Sequence, residues 1–93
     1  MSNQDPISYL TRALTIHEKV LGPEHLHTAN TLNDLAELYR EQGKDEEAEP
    51  LYQRVLAIYE KVFGLDHPYT KTVRENYSEL LKEMGEKREE VDQ

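Results

Sequence analysis

Apolar residues return at helical spacing in four stretches of the chain. Leu32, Leu35, Ala36 and Tyr39 fall at i, i+3, i+4 and i+7, and Ala48, Leu51, Tyr52, Val55, Tyr59 and Val62 carry a second stripe through about four turns. Val73, Tyr77, Leu80, Leu81 and Met84 form a third stripe, and Leu10, Ala13, Leu14 and Val20 a shorter one near the start. Between the stripes stand residues that start and stop helices. Asp5 before Pro6 reads as a capping carboxylate with proline in the first helical position, and Gly22 followed by Pro23 as a stop. Gly43 and Gly85 suit the left-handed residue just past a helix. Asp45 is placed to cap the next helix, with Glu46 and Glu47 in its first turn, and Pro68 suits a helix start. This pattern predicts helices near 6–21, 27–42, 45–63 and 68–84, then a polar tail over 86–93, in an all-α fold that needs no strand. Pro50 is the misfit, because inside a helix it removes a backbone hydrogen bond; a kink or a late helix start is expected there.

Sliding the sequence against itself by 42 residues exposes an internal repeat. Arg12, Leu14, Ile16, Glu18, Lys19, Val20, Gly22, His25 and Thr28 recur as Arg54, Leu56, Ile58, Glu60, Lys61, Val62, Gly64, His67 and Thr70. Glu37, Leu38, Glu41, Gly43 and Glu47 recur as Glu79, Leu80, Glu83, Gly85 and Glu89, which makes 14 identities without a gap. Self-similarity at such a period marks a supersecondary unit that is stacked on copies of itself.

The runs Ala29 to Gly43 (ANTLNDLAELYREQG) and Glu47 to Gly64 (EAEPLYQRVLAIYEKVFG), with Asp66, His67 and Pro68 after them, resemble tetratricopeptide repeats. The 42-residue period and the Gly-x-Asp/Glu-His loop resemble the kinesin-light-chain type. The resemblance implies an antiparallel helix-turn-helix solenoid fragment of about four helices, in which A helices line a concave groove and peptide binding is the usual role. In that frame 27–42 and 68–84 are A helices and 45–63 is a B helix. Residues 6–21 are then the B helix of a preceding partial repeat, 27–63 a complete repeat and 68–85 the A helix of the final one. Leu26 stands where the family's His-Pro pair has proline, so the start of that helix is expected to move by about a residue. Arg74, Tyr77 and Ser78 replace Leu32, Leu35 and Ala36 in the second unit, and the polar residues after Gly85 read as the end of an array.

Composition narrows the partners. Eleven Lys and Arg against 19 Asp and Glu leave a net charge of −8, which opposes phosphate backbones and anionic lipid, so neither nucleic acid nor membrane is expected as a partner. No apolar run approaches the roughly 20 residues that span a bilayer. Met1–Pro6 lacks a basic segment leading into an apolar one, so no secretory signal is expected and a cytoplasmic setting is the default. The 93 residues allow one small domain, and the absence of cysteine rules out disulfides and thiolate metal sites.

Family geometry carried across places Asn30, Asn33, Asp34, Glu37, Arg40 and Glu41 of the first A helix, and Thr72, Glu75, Asn76, Glu79, Lys82 and Glu83 of the second, on the candidate peptide groove. Asn33 and Asn76 offer both donors and acceptors to an extended peptide, or are ordinary exposed helix residues. Six carboxylates against Arg40 and Lys82 leave this surface at −4, so a basic or neutral protein or peptide is expected rather than an acidic one. Kinesin light chains proper are associated with acidic cargo, and other family members clamp a terminal carboxylate with Lys and Asn; the lysine density for either is lacking here. Glu89–Asp92 matches the chaperone tail such clamps read, but Gln93 follows and removes the terminal carboxylate from Asp92.

His25 and His27 beside Glu24 invite a metal, yet a stable site needs a third and usually a fourth ligand. Because His25 and His67 are repeat equivalents, a shared role in the loop is the better reading, and no metal or other cofactor is expected. The phosphate-binding, zinc-protease and nucleophile-elbow motifs are missing, so the chain is expected not to be an enzyme. Tyr39, Tyr52, Tyr59 and Tyr77 sit at packing positions, their hydroxyls expected at the surface or on backbone carbonyls. The alternative to a peptide-binding module is a structural unit that dimerises through exposed helix faces, the stripe of the first helix above all.

Overall fold

The computed structural model describes residues 5–91. Met1–Gln4, where a secretory signal was sought, and Asp92 and Gln93, which end the polar tail, lie outside the described residues. Four helices follow in order, α1 (Pro6–Val20), α2 (Leu26–Glu41), α3 (Asp45–Phe63) and α4 (Pro68–Val91), with no strand among the described residues. Each helix packs on its neighbour in sequence, α1 on α2, α2 on α3 and α3 on α4.

Nearby side chains cap α1, α2 and α4, whereas Asp45 does not cap α3 as expected: it is the first residue of that helix, which has no side-chain cap. The Asp5 carboxylate accepts from the Ser8 N–H at 2.8 Å, with Pro6 opening α1. His25 Nδ1 accepts from the His27 N–H and His67 Nδ1 from the Tyr69 N–H, both at 3.1 Å, so the two histidines do the same work at the starts of α2 and α4. Because the imidazole makes the cap, replacing proline by Leu26 does not move the helix start: α2 opens at Leu26 and α4 at Pro68, one period apart. Past the end of α2, Gly43 turns the chain with a φ of +78°, its N–H reaching the Arg40 carbonyl while the Lys44 N–H reaches that of Tyr39.

Pro50 neither breaks nor delays α3, which starts at Asp45 and runs unbroken to Phe63. Pro50 and Glu46 are both exposed, so solvent reaches the side of the helix where the carbonyl of Glu46 lacks its partner.

The core is Ala29, Leu32, Leu35 and Ala36 of α2, Ala48, Tyr52, Val55, Ile58 and Tyr59 of α3, and Val73 and Leu80 of α4. Three stripe residues depart from this, since Val20, Val62 and Leu81 are exposed, while Ile58, outside the stripe, is buried. The α1 helix buries no residue completely; Leu14 packs against the core, whereas Tyr9, Ile16 and Val20 face outward.

Gly85 does not stop a helix, and the expected tail over 86–93 is helical as far as Val91. Glycine permits the left-handed turn without imposing it, and no positive φ occurs at Gly85. After Gly43 the chain gains by turning, because the stripe of α3 folds back on α2. The segment after Gly85 has no stripe to bury. Running straight on, it brings Lys87 Nζ to 2.8 Å from the carboxylate of Asp45, a buried group at the start of α3. The radius of gyration of 14.4 Å exceeds the roughly 12 Å of a compact chain of this length, in keeping with an elongated stack.

Candidate functional site

Helices α2 and α4 flank a groove whose floor is the Tyr52 to Tyr59 face of α3. Its two ends differ in chemistry.

Glu37, Arg40, Glu41, Tyr52, Asn76 and Glu83 line a hollow of about 370 Å³ at the acidic end. Arg40 spans the walls, its Nε donating to Glu83 Oε1 at 3.3 Å and its terminal nitrogen to Glu83 Oε2 at 3.0 Å and Glu79 Oε2 at 3.5 Å. The Glu83 hydrogen bond, more than any other contact, holds the guanidinium in its charged form. Arg40 is therefore committed to the groove's own acids. Desolvation, then the neighbouring charges of Asp34 and Glu41, push the Glu37 carboxyl above the usual carboxylate range. Burial likewise pushes the Tyr52 hydroxyl up, opposed by Arg40.

The other end is a hollow of about 630 Å³ lined by Leu26, Asn30, Asn33, Tyr59, Phe63, Tyr69, Thr72 and Val73. Tyr59 and Tyr69 each meet Phe63 edge to face at 5.4 Å between ring centroids. The Tyr59 hydroxyl donates to Asn30 Oδ1 at 2.7 Å. Asn33 Oδ1 is buried and has no hydrogen-bond partner.

Eight of the twelve candidate residues thus come together in two hollows: Glu37, Arg40, Glu41, Asn76 and Glu83 in one, Asn30, Asn33 and Thr72 in the other. Glu75 and Glu79 lie with Asn76 in a depression along α4 itself, and the exposed Asp34 and Lys82 line none of the three. Sequence reasoning missed Phe63, Tyr69 and Val73, and took Tyr52 and Tyr59 as packing residues alone. A signal was present, since Tyr59, Phe63, His67 and Tyr69 crowd into eleven positions of an otherwise aromatic-poor chain. The tyrosine hydroxyls also find side chains instead of backbone carbonyls: Tyr77 accepts from Gln53 Nε2 at 2.7 Å and donates to Glu49 at 3.3 Å, which lets it replace the leucine of the first unit.

Among the described residues no group of three or more His, Cys, Asp or Glu is placed to hold a metal ion. None of the helices is long and apolar enough to cross a membrane.

Antiparallel helices stacked in sequence order, with a groove between alternate helices, define a helical-repeat scaffold. Residues 7–61 and 42–93 each match the family model described as tetratricopeptide repeat, and the chain belongs to the tetratricopeptide repeat family. Repeats of this family are non-catalytic scaffolds that generally mediate protein–protein interaction. No curated protein matches the chain.

Proposed function

We propose that the chain is a non-catalytic module that binds an extended basic or neutral peptide of a protein partner in the groove between α2 and α4, in the manner of a 42-residue, kinesin-light-chain type repeat. In this reading 6–21 is the B helix of a preceding repeat, 27–63 a complete repeat, and α4 the A helix of a final one, at work in the cytoplasm. The observation that carries it is Asn33, which lines an open hollow and whose Oδ1 is a buried acceptor without a partner. An unmatched buried acceptor costs roughly 1–3 kcal/mol, and a peptide N–H supplied by a ligand would recover part of that.

Charge sets the preference, because Arg40 is already bound by Glu79 and Glu83 and the candidate surface stays at −4. A basic peptide is expected to bind more tightly than an acidic one of equal length, measured by fluorescence anisotropy. Raising salt from about 0.01 to about 0.15 M, which shortens the screening length from about 30 to about 8 Å, is expected to weaken it. Affinity is also expected to fall as pH is lowered from about 7 towards about 4. Glu37, held above the usual range, gives up its charge first, and each protonated carboxylate removes attraction for a cation. Tighter binding of the acidic peptide at low salt would overturn the reading.

A second reading, self-association, is favoured by the outer face of α1, where Tyr9, Ile16 and Val20 are 61, 59 and 74 % exposed. Its expected signature in sedimentation equilibrium is a concentration-dependent rise above 10.9 kDa that Ile16→Glu abolishes. A constant monomer mass up to about millimolar concentration removes it.

A further inference from the structure

We infer that the aromatic end of the groove is a guanidinium site, which takes the side chain of an arginine in the partner peptide; the inference rests on the peptide-binding reading and names the residue that anchors it. Three observations converge on one hollow. Its aromatic walls meet at steep angles, with Phe63 and Tyr69 at 78° and Tyr59 and Phe63 at 67°. Tyr69, 59 % exposed, stands at the mouth. Asn33 lines the same hollow, and its Oδ1 is buried without a partner. Asp34, the next residue along α2, is exposed and near enough to act after burial on the Tyr59 hydroxyl, and it is one of the six carboxylates that leave the candidate surface at −4.

Each other occupant leaves something unmatched. A carboxylate meets the charge of Asp34. An aliphatic side chain fills the apolar walls but brings no donor for Asn33 Oδ1. An ammonium is a compact, strongly hydrated charge that gives up water at greater cost. A guanidinium is planar and weakly hydrated, stacks on aromatic faces, and brings donors at its rim for Asn33 Oδ1.

Comparison of the two repeat units shows that the corner is an addition to a common loop. The cap is shared, since His25 and His67 each bind the N–H two residues on. At the positions of Phe63 and Tyr69 the first unit has Leu21 and His27. In the second unit His67 stacks on Phe63 at 4.3 Å and 21° while it accepts from the Tyr69 N–H, so one imidazole contacts the Phe63 ring and holds the Tyr69 backbone.

The test is NMR titration of the whole ¹⁵N-labelled chain with N-acetyl-arginine N-methylamide, its neutral isostere the citrulline derivative, and the lysine and norleucine derivatives. The arginine compound is expected to shift the backbone amides of Asn33, Tyr69, Thr72 and Val73 and the side-chain amide of Asn33. The citrulline compound is expected to bind about fivefold or more weakly, and Tyr69→Ala to weaken the arginine compound roughly three- to tenfold. That ring is largely exposed, so the variant's remaining spectrum checks that the fold persists. Asn33→Leu is expected to turn the preference from arginine to norleucine. Norleucine or lysine binding the native corner as tightly as arginine would overturn the site, as would arginine shifts confined to Glu37, Glu41, Glu79 and Glu83. In either case a basic peptide that still binds leaves the groove reading standing, whereas a silent basic peptide beside an arginine-filled corner removes the groove reading alone.

Discussion

Truncating Leu32 to alanine is expected to lower the stability of the fold by about 3 kcal/mol, and Ile16→Ala to leave it nearly unchanged. Both residues are apolar and both lie on helices with an apolar stripe, but their burial differs. Leu32 is 0 % exposed, at the point where α2 meets α3, and its loss removes buried contacts and leaves a cavity; such changes cost roughly 2–5 kcal/mol. A chain of this size has about 5–14 kcal/mol in total, so the change consumes a large part of it. The melting temperature is expected to fall by about 12–24 °C. Circular dichroism melts of the two variants beside the native chain check it. Equal melting points would mean that α1 is as firmly packed as α2, which its exposed Tyr9, Ile16 and Val20 oppose.

Reversing Arg40 to glutamate is expected to cost about 2 kcal/mol at low ionic strength, with much of that recovered in about 1 M salt, where the screening length is only about 3 Å. Exposed ion pairs are individually worth little, commonly below about 1 kcal/mol. Arg40 differs in being 22 % exposed along its side chain and in binding Glu83 with two nitrogens while also reaching Glu79. The variant sets a fifth carboxylate among Glu37, Glu41, Glu79 and Glu83 across two helices that have little direct packing on one another. Salt is expected to raise the variant's melting temperature more than that of the native chain. Arg40→Lys is expected to fall between, since an ammonium cannot make the forked pair. A reversal variant as stable as the native chain at low salt would show that the bridge contributes nothing.

Much of the candidate site was legible, because both A helices carry their outward residues at one spacing and the repeat aligns them. That reasoning ranks positions by face and not by distance. It put Asp34 on the same surface as Glu37, although Asp34 lines neither hollow, and it counted Arg40 as a cation open to ligands when Glu83 holds it from 43 residues away. It also passed over Tyr59 as core. Tyr59 is buried, but its ring faces a hollow that exists only because Phe63 and Tyr69 come from the far end of α3 and the start of α4.

Helix identity and the starts of α1, α2 and α4 were fixed by residues within a turn of each other. Asp5 with Pro6, the capping histidines, the glycine turn at Gly43 and the amphipathic stripes need no distant partner, so the 42-residue period and the all-α class could be read directly. Gly85 and the α1 face could not. A glycine allows a turn, and whether the chain takes it depends on what burial or pairing lies on either path; here Asp45, buried at the start of α3, draws Lys87 along a continuing helix. A stripe likewise states only that a face is apolar. Whether a second helix covers it is a property of the stack, which covers α2 and α3 and leaves the outer side of α1 open, because burial requires surfaces that the linear order of residues does not contain.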